Sequence, residues 1–321
     1  MKSSNIDLTL LLAGNRRTLA KAITLVISNN QCDYHSLHEL IDSIYPHTGK
    51  SIRIAVTGPP GAGKSTFIEA FGLNLISRNR KVAVLAIDPS SPFQGGSILG
   101  DKSRMEELSR QDNAYIRPSP SNGSVGGVTN RTRETILLCE AAGFDVIIVE
   151  TTGVGQSEYE VSNMVDFFLI LTTPINGDDL QGIKRGIMEF ADAIVINKSD
   201  GNNIDLAEKS LIQLQNIAQI FKRKYFWTPR VHTCSSIEGI GIDNIADMII
   251  EYYEKAIQCN YINENRSIQK IDWMNKMVKE LLYSRLDRSP IVKKLLNEFK
   301  DPVINSDISP YHAALRIADQ I

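Results

Sequence analysis

A glycine, a lysine and a hydroxyl spaced as G-x-x-x-x-G-K-S run from Gly58 through Gly63, Lys64 and Ser65, within the stretch Gly58, Pro59, Pro60, Gly61, Ala62, Gly63, Lys64, Ser65 and Thr66. The chemistry of that spacing is the holding of phosphate: glycines let backbone N–H groups turn inward around anionic oxygens, and a helix beginning at the lysine points its positive end at the same charge. Lys64 is placed to reach β- and γ-phosphates, and the Ser65 hydroxyl to ligate Mg²⁺.

A second group of oxygen-bearing residues follows. Asp88 ends an apolar run, Asp101 lies in the glycine-rich loop after it, and Glu150 closes the run DVIIVE. A carboxylate at a strand's end beside phosphate suits Mg²⁺, which takes one or two carboxylates and keeps several waters. Asp88 and Asp101 read equally well as turn or cap residues. Glu150, followed by Thr151, Thr152 and Gly153, has the spacing by which phosphate-loop proteins sense metal and γ-phosphate together, with the Gly153 N–H as the γ-phosphate donor. Gln156 could orient an attacking water, although a glutamine in a polar loop is more often solvated.

The third group is Asn197, Lys198, Ser199 and Asp200, directly after the apolar run ADAIVI. In an N-K-x-D arrangement the aspartate accepts from the N1–H and exocyclic amine of guanine, and adenine offers no such pair of donors. The expected substrate is therefore GTP, with GDP as product. Ser235 and Ser236, after the run RVHTC, are expected near the base, and His232 is expected to be a strand residue and not a metal ligand.

Those groups need strands to carry them and helices to return the chain. Short apolar runs alternate with segments of helical periodicity, predicting an α/β fold with a mostly parallel central sheet flanked by helices. The expected divisions are an N-terminal helical extension over 1–48, a nucleotide domain over 49–259 and a C-terminal helical arm over 260–321. A long helix is expected from about Ile204 to Lys224. The tail is read as two amphipathic helices set apart from the main domain by the polar stretch INENRS, which either pair with a second copy or fold back. Arg16, Arg17 and Lys21 near the start form a basic cluster that reads as a solvated helix face more readily than as a partner contact.

Bulk properties exclude several classes. The 321 residues are 42% hydrophobic and 22% charged, enough for one large domain with additions. Thirty-five basic against 37 acidic residues leave a net charge of −2, which gives no overall electrostatic case for nucleic acid. Four scattered cysteines without a C-x-x-C pair argue against a zinc site or disulfide framework. LTLLLAG is too short for a membrane span, so a cytoplasmic protein without a membrane partner is expected.

The ordered set of phosphate loop, IDPSSPFQGGSILGDKSRM, VETTGVGQSE and NKSD, with LLAGNRRTLAKAITLVIS before it and the Trp273 segment after it, resembles the MeaB/ArgK/MMAA family of P-loop GTPases. The resemblance implies a GTPase chaperone of an adenosylcobalamin-dependent acyl-CoA mutase, typically methylmalonyl-CoA mutase. It also implies a nucleotide and magnesium site at Lys64, Asp88, Asp101 and Glu150, a further switch around Lys184, and a C-terminal dimerisation arm that makes a homodimer. Alternatives are a kinase linked to lysine/arginine/ornithine transport, a label some relatives carry, and a metallochaperone GTPase.

Overall fold

The computed structural model of the chain describes residues 6–27, 34–88, 105–120, 131–151, 157–174, 185–218 and 224–320. Two compact units are present, residues 1–262 and 263–321.

Among the described residues of the first unit seven strands form one sheet. They are β1 Ile52–Thr57, β2 Val82–Asp88, β3 Ala114–Pro120, β4 Val146–Glu150, β5 Phe167–Thr172, β6 Ala193–Ile196 and β7 Arg230–Thr233. The order is β3-β2-β4-β1-β5-β6-β7, and every pairing is parallel. Helices of this unit are α1 Leu8–Leu12, α2 Arg16–Ile27, α3 Tyr34–Ile44, α4 Lys64–Ser77, α5 Glu106–Ser109, α6 Thr132–Ala141, α7 Ser157–Ser162, α8 Arg185–Met188, α9 Ile204–Ala218 and α10 Ile242–Gln258.

Burial on both faces explains the composition of the strands. β5 and β6 are buried throughout, as a parallel sheet covered by helices requires. Alternate residues on one face, among them Ile54, Val56, Val84, Ile148 and Leu169, join Phe67 and Phe71 of α4 and Ile245, Ile249 and Tyr252 of α10 in one core. α4 and α10 are also bridged by Arg78, whose guanidinium reaches Asp243 at 2.8 Å and Asp247. Elsewhere, α2 and α3 pack on α6.

The sheet's N-terminal edge is held by a repeated device. Asp145, Asp166 and Asp192 stand one residue before β4, β5 and β6. Each carboxylate accepts a backbone N–H from the neighbouring strand's entry: Lys81 at 2.7 Å, Arg53 at 2.9 Å and Phe168 at 3.0 Å respectively. Asp192 also receives Lys224 Nζ at 2.6 Å, and the same ammonium donates to the Tyr252 hydroxyl at 2.7 Å. Tyr252 in turn donates to the Asp166 carbonyl at 2.8 Å and packs edge-on against Phe167 and Trp227. Tyr252→Phe keeps the ring and removes both hydrogen bonds. It should cost about 1–3 kcal/mol, read as a lowered urea midpoint of the full chain, because a buried carbonyl and a buried ammonium each lose a partner.

Two expectations about helices change. The helix starting at Ile204 is described as far as Ala218, and Lys224 sits in a short bridge with Trp227 and not in that helix. INENRS, expected as a polar stretch ahead of the tail, is helical: it lies inside one continuous helix, α11 Tyr261–Arg288, and the division between the two units falls within it, with α12 Pro290–Ile304 and α13 Pro310–Ala318 following. Along α11, Ile268, Ile271, Met274, Val278 and Leu281 are all more than 40% exposed and follow one another at three- and four-residue steps.

Candidate functional site

β1 lies between β4 and β5, and Val56 pairs with Glu150, so the loop leaving β1 and the carboxylate ending β4 emerge side by side at the sheet's C-terminal edge. This is the edge at which parallel α/β sheets bind ligands. Gly58 turns the chain with φ 147°, and a Cβ there would strike the Leu171 carbonyl of β5. Gly63, at φ 82°, caps α4, and a Cβ on it would lie 2.7 Å from the Asn197 amide nitrogen. Both positions therefore require glycine. The first N–H groups of α4 have no carbonyl within the helix and face the loop.

Lys64 doubles back over the loop it follows. Its Nζ donates to the Gly58 carbonyl at 2.8 Å and the Pro59 carbonyl at 3.2 Å. Partial burial pulls the ammonium below the usual lysine range, opposed by the carboxylates of Glu150 and Glu158. The Ser65 hydroxyl donates to Glu150 Oε1 at 3.1 Å. A hydroxyl and a carboxylate oxygen converging at a helix start form the hard donor set that Mg²⁺ takes, so these residues fit that ion. Thr57 and Thr151, both buried, tie the two strand exits together: Thr151 Oγ1 donates to Thr57 Oγ1 at 2.7 Å, and the Thr151 N–H donates to the Val56 carbonyl at 3.1 Å. That brace sets where Glu150 points. Sequence reasoning missed it, although a threonine before GPPG and another after Glu150 were the available signal.

The base-side segment is joined to the same loop through Asn197. Its amide nitrogen donates to the Ala62 carbonyl at 2.9 Å. Its oxygen accepts from the Ser236 N–H at 3.1 Å, the Ser236 hydroxyl at 2.7 Å and the Cys234 thiol at 3.5 Å. Asn197 is thus a strut between the phosphate loop and the segment after β7. Burial pushes the Cys234 thiol up to about 12, keeping it a neutral donor. Lys198 is exposed and takes a left-handed backbone with φ 58°. Asp200 is half-buried, and one of its oxygens accepts from the Ser235 hydroxyl at 2.5 Å. Ser235 itself is fully buried, so it orients the carboxylate from behind.

The structure therefore brings together Gly58 to Thr66, Glu150, Asn197, Ser235 and Ser236, with Asp200 against Ser235. Asp88 ends β2, two residues past the Ala86 that pairs with Glu150, but its side chain lies outside the described part of the chain. Asp101, Gly153, Gln156 and Lys184 lie outside the described residues. His232 is on β7, where burial and then the Arg230 charge lower its pKa. Among the described residues no three His, Cys, Asp or Glu side chains gather as a metal-binding group, and no helix is long and apolar enough to cross a membrane.

Comparison with known proteins agrees with this geometry. Residues 19–290 match the family described as "Methylmalonyl Co-A mutase-associated GTPase MeaB". The chain is 48% identical over 298 residues to "GTPase ArgK" of Escherichia coli (strain K12), covering 92% of this chain and 90% of that protein. It is 41% identical over 315 residues to "Methylmalonic aciduria type A homolog, mitochondrial" of Mus musculus, covering 95% and 76% respectively. A solved structure described as "Crystal structure of LAO/AO transport system kinase" superposes with a TM-score of 0.75 at 40% identity, covering 97% of this chain and 95% of that one. With a phosphate loop, a facing carboxylate and an N-K-x-D segment braced on one sheet edge, the chain belongs to the MeaB family of P-loop GTPases.

Proposed function

We propose that this GTPase serves as a chaperone of an adenosylcobalamin-dependent acyl-CoA mutase, methylmalonyl-CoA mutase first among them, gating cofactor loading and protecting the mutase. The observation that carries the reading is the family match over 19–290, whose description names that mutase. In this reading the Lys64 ammonium leaves the Gly58 and Pro59 carbonyls for the β- and γ-phosphates, and the N–H groups at the start of α4 take the remaining charge. Ser65 and Glu150, with Asp88 and Asp101, would hold Mg²⁺, which supplies further charge neutralisation at the phosphates when bound. Gln156 orients a water that attacks the γ-phosphorus in line. The bond to the β-phosphate oxygen breaks, its electrons stay on GDP, and the water's proton is released. The Gly153 N–H follows the γ-phosphate, Lys184 lies in the segment that carries the change to the mutase, and Asp200 reads guanine. The apolar stripe of α11 supports a homodimer formed through the C-terminal helices. Cytoplasmic location completes the reading.

The test is GTP turnover by the full chain with and without a purified mutase. At least a severalfold change in turnover, together with co-elution of the two proteins, is expected. Unchanged turnover and no co-elution would remove the mutase from the proposal. A second reading rests on the words "transport system kinase" carried by a structure 40% identical to this chain. It predicts transfer of labelled γ-phosphate to a protein acceptor, where the chaperone reading predicts inorganic phosphate alone.

A further inference from the structure

At the opposite edge of the sheet from the nucleotide site, a cavity of about 330 Å³ opens where the first turn of α2 meets the entry of β3, the sheet's edge strand. Arg16, Arg17, Ala20, Ser109, Tyr115 and Ile116 line it. Its size falls at the small end of the range of about 300–1,000 Å³ typical of ligand pockets.

The two arginines differ in how they are held. Arg16 is fixed, because its Nη2 donates to the Gln111 carbonyl at 2.9 Å and to the Ala114 carbonyl that opens β3. A guanidinium has five N–H donors, so its Nε and Nη1 groups remain for a ligand. Arg17 follows at once, with its backbone N–H held by the Asn15 side chain at 3.1 Å. Among the described residues its guanidinium has no hydrogen-bond or ion-pair partner, and no acidic side chain lines the cavity. Of the acids nearby in sequence, Glu106 faces Arg110 at 3.6 Å, and Glu107 and Asp112 are exposed and not among the lining residues. Ser109 spends its hydroxyl on the Glu106 carbonyl at 2.8 Å, so polar recognition falls to the guanidiniums.

Two adjacent cations without a counter-charge, one of them pinned, beside a wall of Ala20, Tyr115 and Ile116, make a recess selective for negative charge carried on an apolar body. We propose that this cavity binds a small organic anion, a phosphate monoester or a carboxylate, whose oxygens bridge Arg16 and Arg17. It is a site separate from the GTPase centre, and its ligand reaches the helices that precede the nucleotide domain.

The full chain, saturated with GDP and Mg²⁺ so that the phosphate loop is filled, is titrated calorimetrically with phenyl phosphate, benzoate and benzyl alcohol. One phenyl phosphate or benzoate per chain is expected, with the tighter of the two naming the preferred anion, and benzyl alcohol is expected to give no saturable heat. Arg17→Ala should weaken the anion by about tenfold or more. Lys21→Ala, on the exposed face of the same helix, should leave it unchanged. Arg17 is exposed and its side chain braces nothing described, so a fold defect in that variant is not expected, and far-UV circular dichroism checks it. No saturable binding to the GDP-loaded chain, equal binding of benzyl alcohol, or equal losses in the Arg17 and Lys21 variants overturns the site.

Discussion

Lys64→Ala is expected to weaken GTP binding by about a thousandfold in isothermal titration, the loss that follows when a partly desolvated charge pair loses one member. The lysine is the first residue of α4 and is already turned over the loop, where two carbonyls hold it in reach of the space the loop surrounds. Its removal does more than delete a donor. The Glu150 and Glu158 carboxylates, whose fields act on the ammonium, would then face the phosphates with less positive charge between them. The fold should persist, since the core of α4 is carried by Phe67, Ile68, Phe71 and Leu75 and not by the lysine. Near-normal GTP affinity in a folded Lys64→Ala protein would refute the phosphate cradle.

The second large effect concerns the base. Asp200→Ala should lower GTP affinity by about a thousandfold and leave GTP and ATP nearly equal, because a site built on a buried polar pair rejects ligands that cannot satisfy it and stops discriminating once the pair is gone. The wild-type chain should strongly prefer GTP. Asp200 is unusually well prepared for this, with one carboxylate oxygen held by the fully buried Ser235 and the other left for the guanine N–H donors. Competition titrations with the two nucleotides read the result directly. If ATP already binds wild-type protein as tightly as GTP, the guanine assignment of Asp200 fails.

Much of the fold could be read because local and long-range demands coincide in it. VIIV, FFLIL and AIVI are apolar without interruption and IRIAV is broken only by Arg53, a pattern that a sheet covered on both faces rewards, and glycines at 58 and 63 mark turns that no other residue can make. The roles within the site were less visible. Asn197 was expected at the nucleotide, and its hydrogen bonds also join two loops, a contact between residues 135 apart that spacing cannot disclose. Ser235 and Ser236 were placed near the base, but that one orients Asp200 and the other fastens Asn197 depends on atoms meeting across the sheet edge. The helical form of the join to the tail was hidden for another reason. INENRS has the polarity of a linker, but from Tyr261 to Ser289 there is neither glycine nor proline, so nothing stops a helix.

The three aspartates ahead of β4, β5 and β6 have a mechanical consequence. The carboxylates clasp β4 to β2, β5 to β1 and β6 to β5, so along one margin the sheet resembles two riveted groups of slats that meet at the β4–β1 seam, where the phosphate loop and Glu150 leave at the other margin. Within each group the strands cannot slide past one another without breaking a clasp. A strain arriving from the nucleotide side would therefore be taken up first at the β4–β1 seam, the joint that none of these carboxylates fastens.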